Sequence, residues 1–189
     1  MKNIKASAFG IFIVILVAAS AVQGYAVYRD SNVPRTRPPR LNVGDTLRNA
    51  KFVDGPKRSG IRARMRISDV TLDDLTSHGC VVLAFFESHC EGCRAIAPAW
   101  SNMDTLRAAG VRVPIYWVTA HRADDGAGEF VSSNMLGRRW FAIASRQDQY
   151  DLGVVSWPRH YLVGPGREFL GYLNPTPDSS ATVPKACRS

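Results

Sequence analysis

Apolar residues along the chain change period from block to block, and the periods predict the elements. The first block has no period. From Ala6 to Val27 there is no charge, and the centre reads Ile11-Phe12-Ile13-Val14-Ile15-Leu16-Val17. That length matches the ~20 apolar residues of a membrane-spanning helix. Two lysines precede it, and Ala19-Ser20-Ala21 fits a small-residue cleavage site that would release the chain before Val22. Residues 1–27 read as a signal-anchor or a signal peptide, with the helix at about 6–27. The segment lacks the polar face of an ordinary core helix.

Strict alternation returns at Ile61-Arg62-Ala63-Arg64-Met65-Arg66-Ile67, which predicts a half-buried strand with arginines on its wet face. Asp69–Ser77 predicts a short capped helix with Leu72 and Leu75 inward. Cys80–Phe86 is a continuous apolar run, the mark of a strand buried on both faces. Ile96, Trp100, Met103 and Leu106 then recur at helical spacing and predict a helix from Glu91 to Ala109, kinked at Pro98 and ended by Gly110. Val111–Val118 reads as a strand, His121–Gly128 as a polar loop and Glu129–Leu136 as a helix. Arg139–Ser145 reads as a strand, and Asp148–Leu152 as a helical turn closed by Gly153. Arg159–Val163 and Glu168–Tyr172 form a hairpin across Gly164-Pro165-Gly166-Arg167. Asn174–Ser189, with three prolines, predicts a mobile tail. Strands alternating with helices imply an α/β domain over 41–173: a central mixed sheet with helices on both faces.

Composition narrows the classes. The chain has 189 residues, 46% of them hydrophobic and 21% charged. That excludes wholesale disorder and a polytopic membrane protein, and leaves room for one domain. The net charge of +8 does not point to nucleic acid, because the arginines are scattered and no binding motif appears. Several of them fall in 28–40, a Pro/Arg-rich linker whose end reads SNVPRTRPPR. Arg29, Arg35, Arg37 and Arg40 make the flank after the apolar block more basic than the one before it, which opposes export under the positive-inside rule. The signal-like N-terminus favours export. The expected location is therefore membrane-anchored with the domain on the outer (periplasmic or extracytoplasmic) face, or secreted if the signal is cleaved.

The chemistry sits at Cys90-Glu91-Gly92-Cys93, which follows the buried strand and opens a helix. A thiol at a helix N-terminus meets unpaired backbone N–H groups and the positive end of the macrodipole, which favour thiolate. The spacing puts Cys93 on the same face one turn later, within reach of a mixed disulfide on Cys90. A structural zinc site needs four ligands, and there is no second CxxC and no HxxxH; His89 and His78 would have to be recruited. Arg94, not His, follows the second cysteine, so haem attachment fails. No metal and no cofactor is expected.

Phe85–Pro98 resembles the active-site stretch of the thioredoxin superfamily. Val154-Val155-Ser156-Trp157-Pro158 resembles its cis-proline loop, and Tyr161–Arg167 the strand and turn that follow. Leu41-Asn42-Val43-Gly44-Asp45 is similar to the opening of the redoxin branch. With an N-terminal anchor, the whole resembles the membrane-tethered TlpA/ResA type. The resemblance implies a thioredoxin-like fold with Cys90 as attacking thiol, Cys93 as resolving thiol and a redox-active Cys90–Cys93 disulfide. It also implies a cis Pro158 that leaves the loop free for client backbone, with Trp157 beside the dithiol. The chain departs from the pattern in three places. His89 replaces the usual aromatic, Ala84 stands at the buried acid, and Ile96 stands where tethered reductases carry Glu. His89, Glu87 and Glu91 are the candidate modulators. Cys80 and Cys187 either pair or stay as a buried and a free thiol.

The expected function is a thiol–disulfide oxidoreductase acting on exported protein thiols and disulfides. Apocytochrome c is among the clients the resemblance suggests. A reductase is favoured over an oxidase because Glu91 opposes a thiolate, and a reductase would need an electron donor in the membrane. Two alternatives stay open: a non-catalytic thioredoxin-fold module binding a partner or metal, and a redoxin-type thiol peroxidase.

Overall fold

A computed structural model describes residues 18–23, 38–55, 69–108, 111–119, 126–136, 140–174 and 184–187. Met1–Arg37 and Pro38–Ser189 are separate compact units, and the second carries the sheet. Of the apolar 6–27 block only 18–23 are described, and they are helical; the rest of the predicted anchor lies outside the described residues. Among the described residues no helix is long and apolar enough to cross a membrane. The predicted strand Ile61–Ile67, most of the 28–40 linker and residues 121–125 also lie outside them.

The strands are β1 (Lys51–Asp54), β2 (Asp69–Thr71), β3 (Val81–Phe86), β4 (Thr105–Ala108), β5 (Val111–Thr119), β6 (Trp140–Ile143), β7 (Arg159–Val163) and β8 (Phe169–Tyr172). They run in the order β2-β1-β6-β5-β3-β7-β8, with β4 paired to β5 off that path. β5 pairs in parallel with β3 and β6, while β7 pairs antiparallel with β3. The sheet is mixed, as the alternation of elements predicts.

β3 explains why both faces must be covered. Every residue in it is buried. Val82, Ala84 and Phe86 enter one core cluster, and Val81, Leu83 and Phe85 the other. That is the two-residue period of a pleated strand with no wet side. Helices α2 (Glu91–Trp100) and α3 (Ala127–Ser133) cover the first face through Cys93, Ala97, Trp100, Phe130 and Val131. Helix α1 (Leu72–Thr76) covers the second through Leu72 and Leu75, with Leu152 after α4 (Arg146–Asp151). Thr71 caps α1 reciprocally: its Oγ1 accepts from the Asp74 N–H at 3.2 Å and its N–H donates to Asp74 Oδ2 at 2.8 Å.

Three expectations are corrected. The helix predicted through Ala109 stops at Trp100, and Thr105–Ala108 is a strand. Pro98 has no N–H to donate to the preceding turn. The Ser101 N–H turns back to the Pro98 carbonyl at 3.3 Å, and Asn102 takes φ +61°. Leu106 is still buried, but from a strand paired with β5. Second, β1 and β2 went unforeseen because each is short and flanked by polar residues, although Phe52 and Val53 are fully buried. Third, one part of the predicted tail is held: Lys185–Cys187 forms a 3-10 turn, and Cys187 is buried in a disulfide with Cys80, Cα–Cα 5.3 Å, while 175–183 lie outside the described residues. No hydrophobic pattern records such a covalent link.

Candidate active site

Cys90 is the N-cap of α2, with extended backbone at φ −76° and ψ 113°. A turn delivers it there, because its N–H donates to the Glu87 carbonyl at 3.1 Å just past the end of β3. Its Sγ accepts a hydrogen bond from the Cys93 N–H at 3.1 Å. The sulfur thus takes the place of the Ser or Asp oxygen that usually satisfies an orphan donor of the first turn. The same donor and the helix dipole favour a thiolate there once the pair is reduced.

Cys90 and Cys93 form a disulfide with Cα atoms 5.2 Å apart. The two sulfurs are unequal. Cys90 is half-buried, whereas Cys93 is 2% exposed within the core cluster of the α2 face. A molecule arriving from solvent can reach only the first. Arg94 is exposed and its Nε donates to the Ser88 carbonyl at 3.2 Å, tying the first turn of α2 to the loop before it.

The Trp157–Pro158 bond is cis. Pro158 closes against the dithiol at Gly92. A Cβ on Gly92 would stand 3.3 Å from Pro158 Cδ and 3.9 Å from Cys90 Sγ. Only a residue without a side chain leaves that approach unhindered. Trp157 is half-buried and packs against both core clusters, so much of its ring serves the fold. His89 and Glu91 are exposed and Glu87 is half-buried. A groove of about 650 Å³ runs on from Pro158 past Val155, Arg159 and Tyr172 to Arg40. Val155 and Tyr172 are half exposed, at 50% and 53%, and the Arg159 guanidinium lies 5.4 Å from the Tyr172 ring centroid.

One residue escaped the sequence reading. His160, two positions after Pro158, is 2% exposed on β7 directly opposite Ala84 of β3. Its ring stacks on Trp100 at 4.6 Å and 7°, and stands perpendicular to Trp117 at 6.3 Å between centroids. Among the described residues Nε2 is buried without a hydrogen-bond partner. Burial pushes the imidazole pKa down to about 4. The available signal was a lone polar residue, in phase with Pro158, within a strand otherwise headed inward. Among the described residues no three His, Cys, Asp or Glu side chains gather as metal ligands.

No family model matches the chain, and no curated protein does. Solved structures do. A thioredoxin domain of a thiol-disulfide oxidoreductase from Bacteroides vulgatus superposes with TM-score 0.51 at 16% identity, over 70% of this chain and 89% of that one. A protein described as thiol:disulfide interchange protein DsbE from Chlorobium tepidum gives 0.53 at 19%, over 70% and 85%. The peroxidoxin BcpB from Mycobacterium tuberculosis gives 0.52 at 17%, over 71% and 86%. The chain therefore has a thioredoxin-like fold.

Proposed function

We propose that this chain is a thiol–disulfide oxidoreductase whose working pair is Cys90 and Cys93. The observation that carries the reading is the unequal dithiol on the first turn of α2, half-exposed Cys90 against buried Cys93, closed by cis Pro158. In the reducing direction the Cys90 thiolate attacks a client disulfide. A Cys90–client S–S bond forms, and one client sulfur leaves as thiolate and takes a proton. Cys93 then gives up its proton and attacks Cys90 Sγ. The mixed disulfide breaks, the second client thiol leaves, and the Cys90–Cys93 bond is restored. Two electrons pass from the dithiol to the client.

The named neighbours of this fold include two proteins of thiol–disulfide exchange and one peroxidoxin. A resolving cysteine one helical turn from the first favours exchange, since a mixed disulfide is intercepted before it dissociates. The groove beyond Pro158, lined by apolar and arginine side chains, suits an extended client segment. Glu91 in the first turn opposes a thiolate and favours the reductase direction, fed by a donor in the membrane. Exported thiol proteins such as apocytochrome c are the proposed clients. The apolar 6–27 block and the Cys80–Cys187 disulfide both suit an anchored domain on the oxidising outer face.

The test is the potential of the Cys90–Cys93 couple in the full chain, titrated against glutathione and dithiothreitol. A value near about −270 mV supports a reductase, and one near about −120 mV a disulfide donor. A pair that never cycles overturns the proposal in favour of a binding module. Peroxide consumption by the reduced protein would favour the peroxidase reading instead.

A further inference from the structure

The groove beyond Pro158 is lined from two distant parts of the chain. One part belongs to the sheet: Arg159 follows Pro158 and opens β7, and Tyr172 ends β8. The other is residues 38–40, the last of the Pro/Arg-rich segment that precedes the domain. That segment is closely seated. A Cβ on Gly153 would stand 3.1 Å from the Pro39 carbonyl oxygen and 3.3 Å from Leu41 Cγ, and Gly153 has φ +66°. Both the space and the backbone there require glycine. Leu41 packs against the core cluster of the α1 face, which anchors the segment just after Arg40.

The groove carries charge of one sign. Arg40 is exposed and Arg159 is half-buried. Among the described residues no Asp or Glu lines the groove, and neither arginine has a carboxylate partner. Arg159 is nevertheless oriented. Its Nε donates to Ser156 Oγ at 3.1 Å, and its guanidinium lies 5.4 Å from the Tyr172 ring centroid. A guanidinium held in this way meets a carboxylate with less ordering left to do. Val155 and Tyr172, both half exposed, give the same groove an apolar surface. Glu87 and Glu91, the acidic residues beside the cysteines, do not line it.

We propose that this groove selects acidic client segments, with carboxylates of the client held by Arg40 and Arg159 while its cysteine meets Cys90. The inference rests on the dithiol reading above and names the class of client that site takes. Pro158 joins the two places, since it lines the groove and its Cδ would lie 3.3 Å from a Cβ on Gly92, itself 3.9 Å from Cys90 Sγ. Residues 38–40 are then a client-binding element as well as the end of a spacer. Two cations in a groove raise the capture rate of an acidic segment and oppose a basic one, and salt screens both effects. The exchange chemistry itself is unchanged.

The test uses the full chain, reduced with dithiothreitol and freed of it. It is mixed with three disulfide-bonded peptides of one sequence whose flanking positions carry Glu, Gln or Lys. Oxidation of Cys90 and Cys93 is followed by acid quench and mass. At about 20 mM ionic strength the Glu peptide should react about 10-fold faster than the Lys peptide, with Gln between, and the ratio should shrink severalfold at about 0.5 M salt. The readout is this Glu-to-Lys ratio within each protein, so a general loss of activity cancels. R40Q and R159Q should each lower the ratio about twofold or more, and the double variant should bring it near one. R112Q removes the same charge at the other end of β3, where Arg112 lines a cavity with Cys80, and should leave the ratio as it was. It separates the groove from the overall charge of +8. Equal rates for the three peptides overturn the proposal. So does a ratio that survives the double variant, or one that R112Q lowers as much as R40Q. A wild-type chain that also fails to react with neutral hydroxyethyl disulfide defeats the dithiol reading itself, a separate outcome.

Discussion

At the scale of single residues, the site turns on what each position lacks. Cys93 lacks solvent, so Cys93→Ser should trap Cys90–client mixed disulfides, visible as a mass increase that dithiothreitol removes; Cys90→Ser should trap none. Gly92 lacks a side chain where Pro158 packs at 3.3 Å from its would-be Cβ. Gly92→Val should displace the proline loop and slow exchange with a protein disulfide about 10-fold or more, since ~1 Å of misplacement can cost about 100-fold. Reaction with a small disulfide reagent should be nearly unaffected. His160 Nε2 lacks a hydrogen-bond partner among the described residues, and the ring's pKa sits near 4 in place of 6.5. The unfolded chain takes up this proton first as pH falls. The neutral fold therefore loses stability from about pH 6.5 down to about 4, by about 3 kcal/mol in all. Urea titrations of H160F across that range should lack this component. Cys90, Cys93 and Pro158 were legible because motif and spacing expose them. His160 was not, because its burial depends on facing Ala84 across a strand pairing that adjacent sequence does not state.

Elements were legible where one rule dominated. β3 declared itself by an unbroken apolar run, and the β7–β8 hairpin by Gly and Pro between two strands. α2 was misread at its C-terminal half because Trp100, Met103 and Leu106 keep helical spacing by coincidence across a chain reversal. Pro98 had pointed to the break, and it ends the helix where a kink was expected. Caps were the finer signal. Ser145 Oγ accepts from the Asp148 N–H at 3.0 Å at the start of α4. Ser145→Ala should cost about 1 kcal/mol in denaturant titration. At α1 the bonds from Thr71 hold the Asp74 carboxyl below its ordinary pKa. This stabilising contribution is present above the unfolded carboxylate pKa and is lost as pH falls through the lower folded one. Thr71→Ala should weaken that dependence, leaving the part that the residue 71 backbone N–H supplies to Asp74 Oδ2.

For the whole molecule, the mixed sheet was readable from element order, while its closure by Cys80 and Cys187 was one of two readings the sequence left open. The Cys80–Cys187 bond spans a sequence separation of 107 residues. A loop of that size contributes up to about 4.7 kcal/mol by restricting the unfolded chain. Replacing both cysteines by serine should lower the guanidinium midpoint accordingly, while Cys90 and Cys93 still exchange; an unchanged midpoint would remove the tail from the stability of the domain. That covalent tie also sets an order of events at the ribosome. Cys90 and Cys93 are made almost together, whereas Cys187 follows Cys80 by about 5–20 s at ordinary synthesis rates. Cys80 must wait through that interval beside two reactive neighbours. The pair made to open and close is available first, and the permanent one last, so errors of pairing in the nascent chain fall on Cys80.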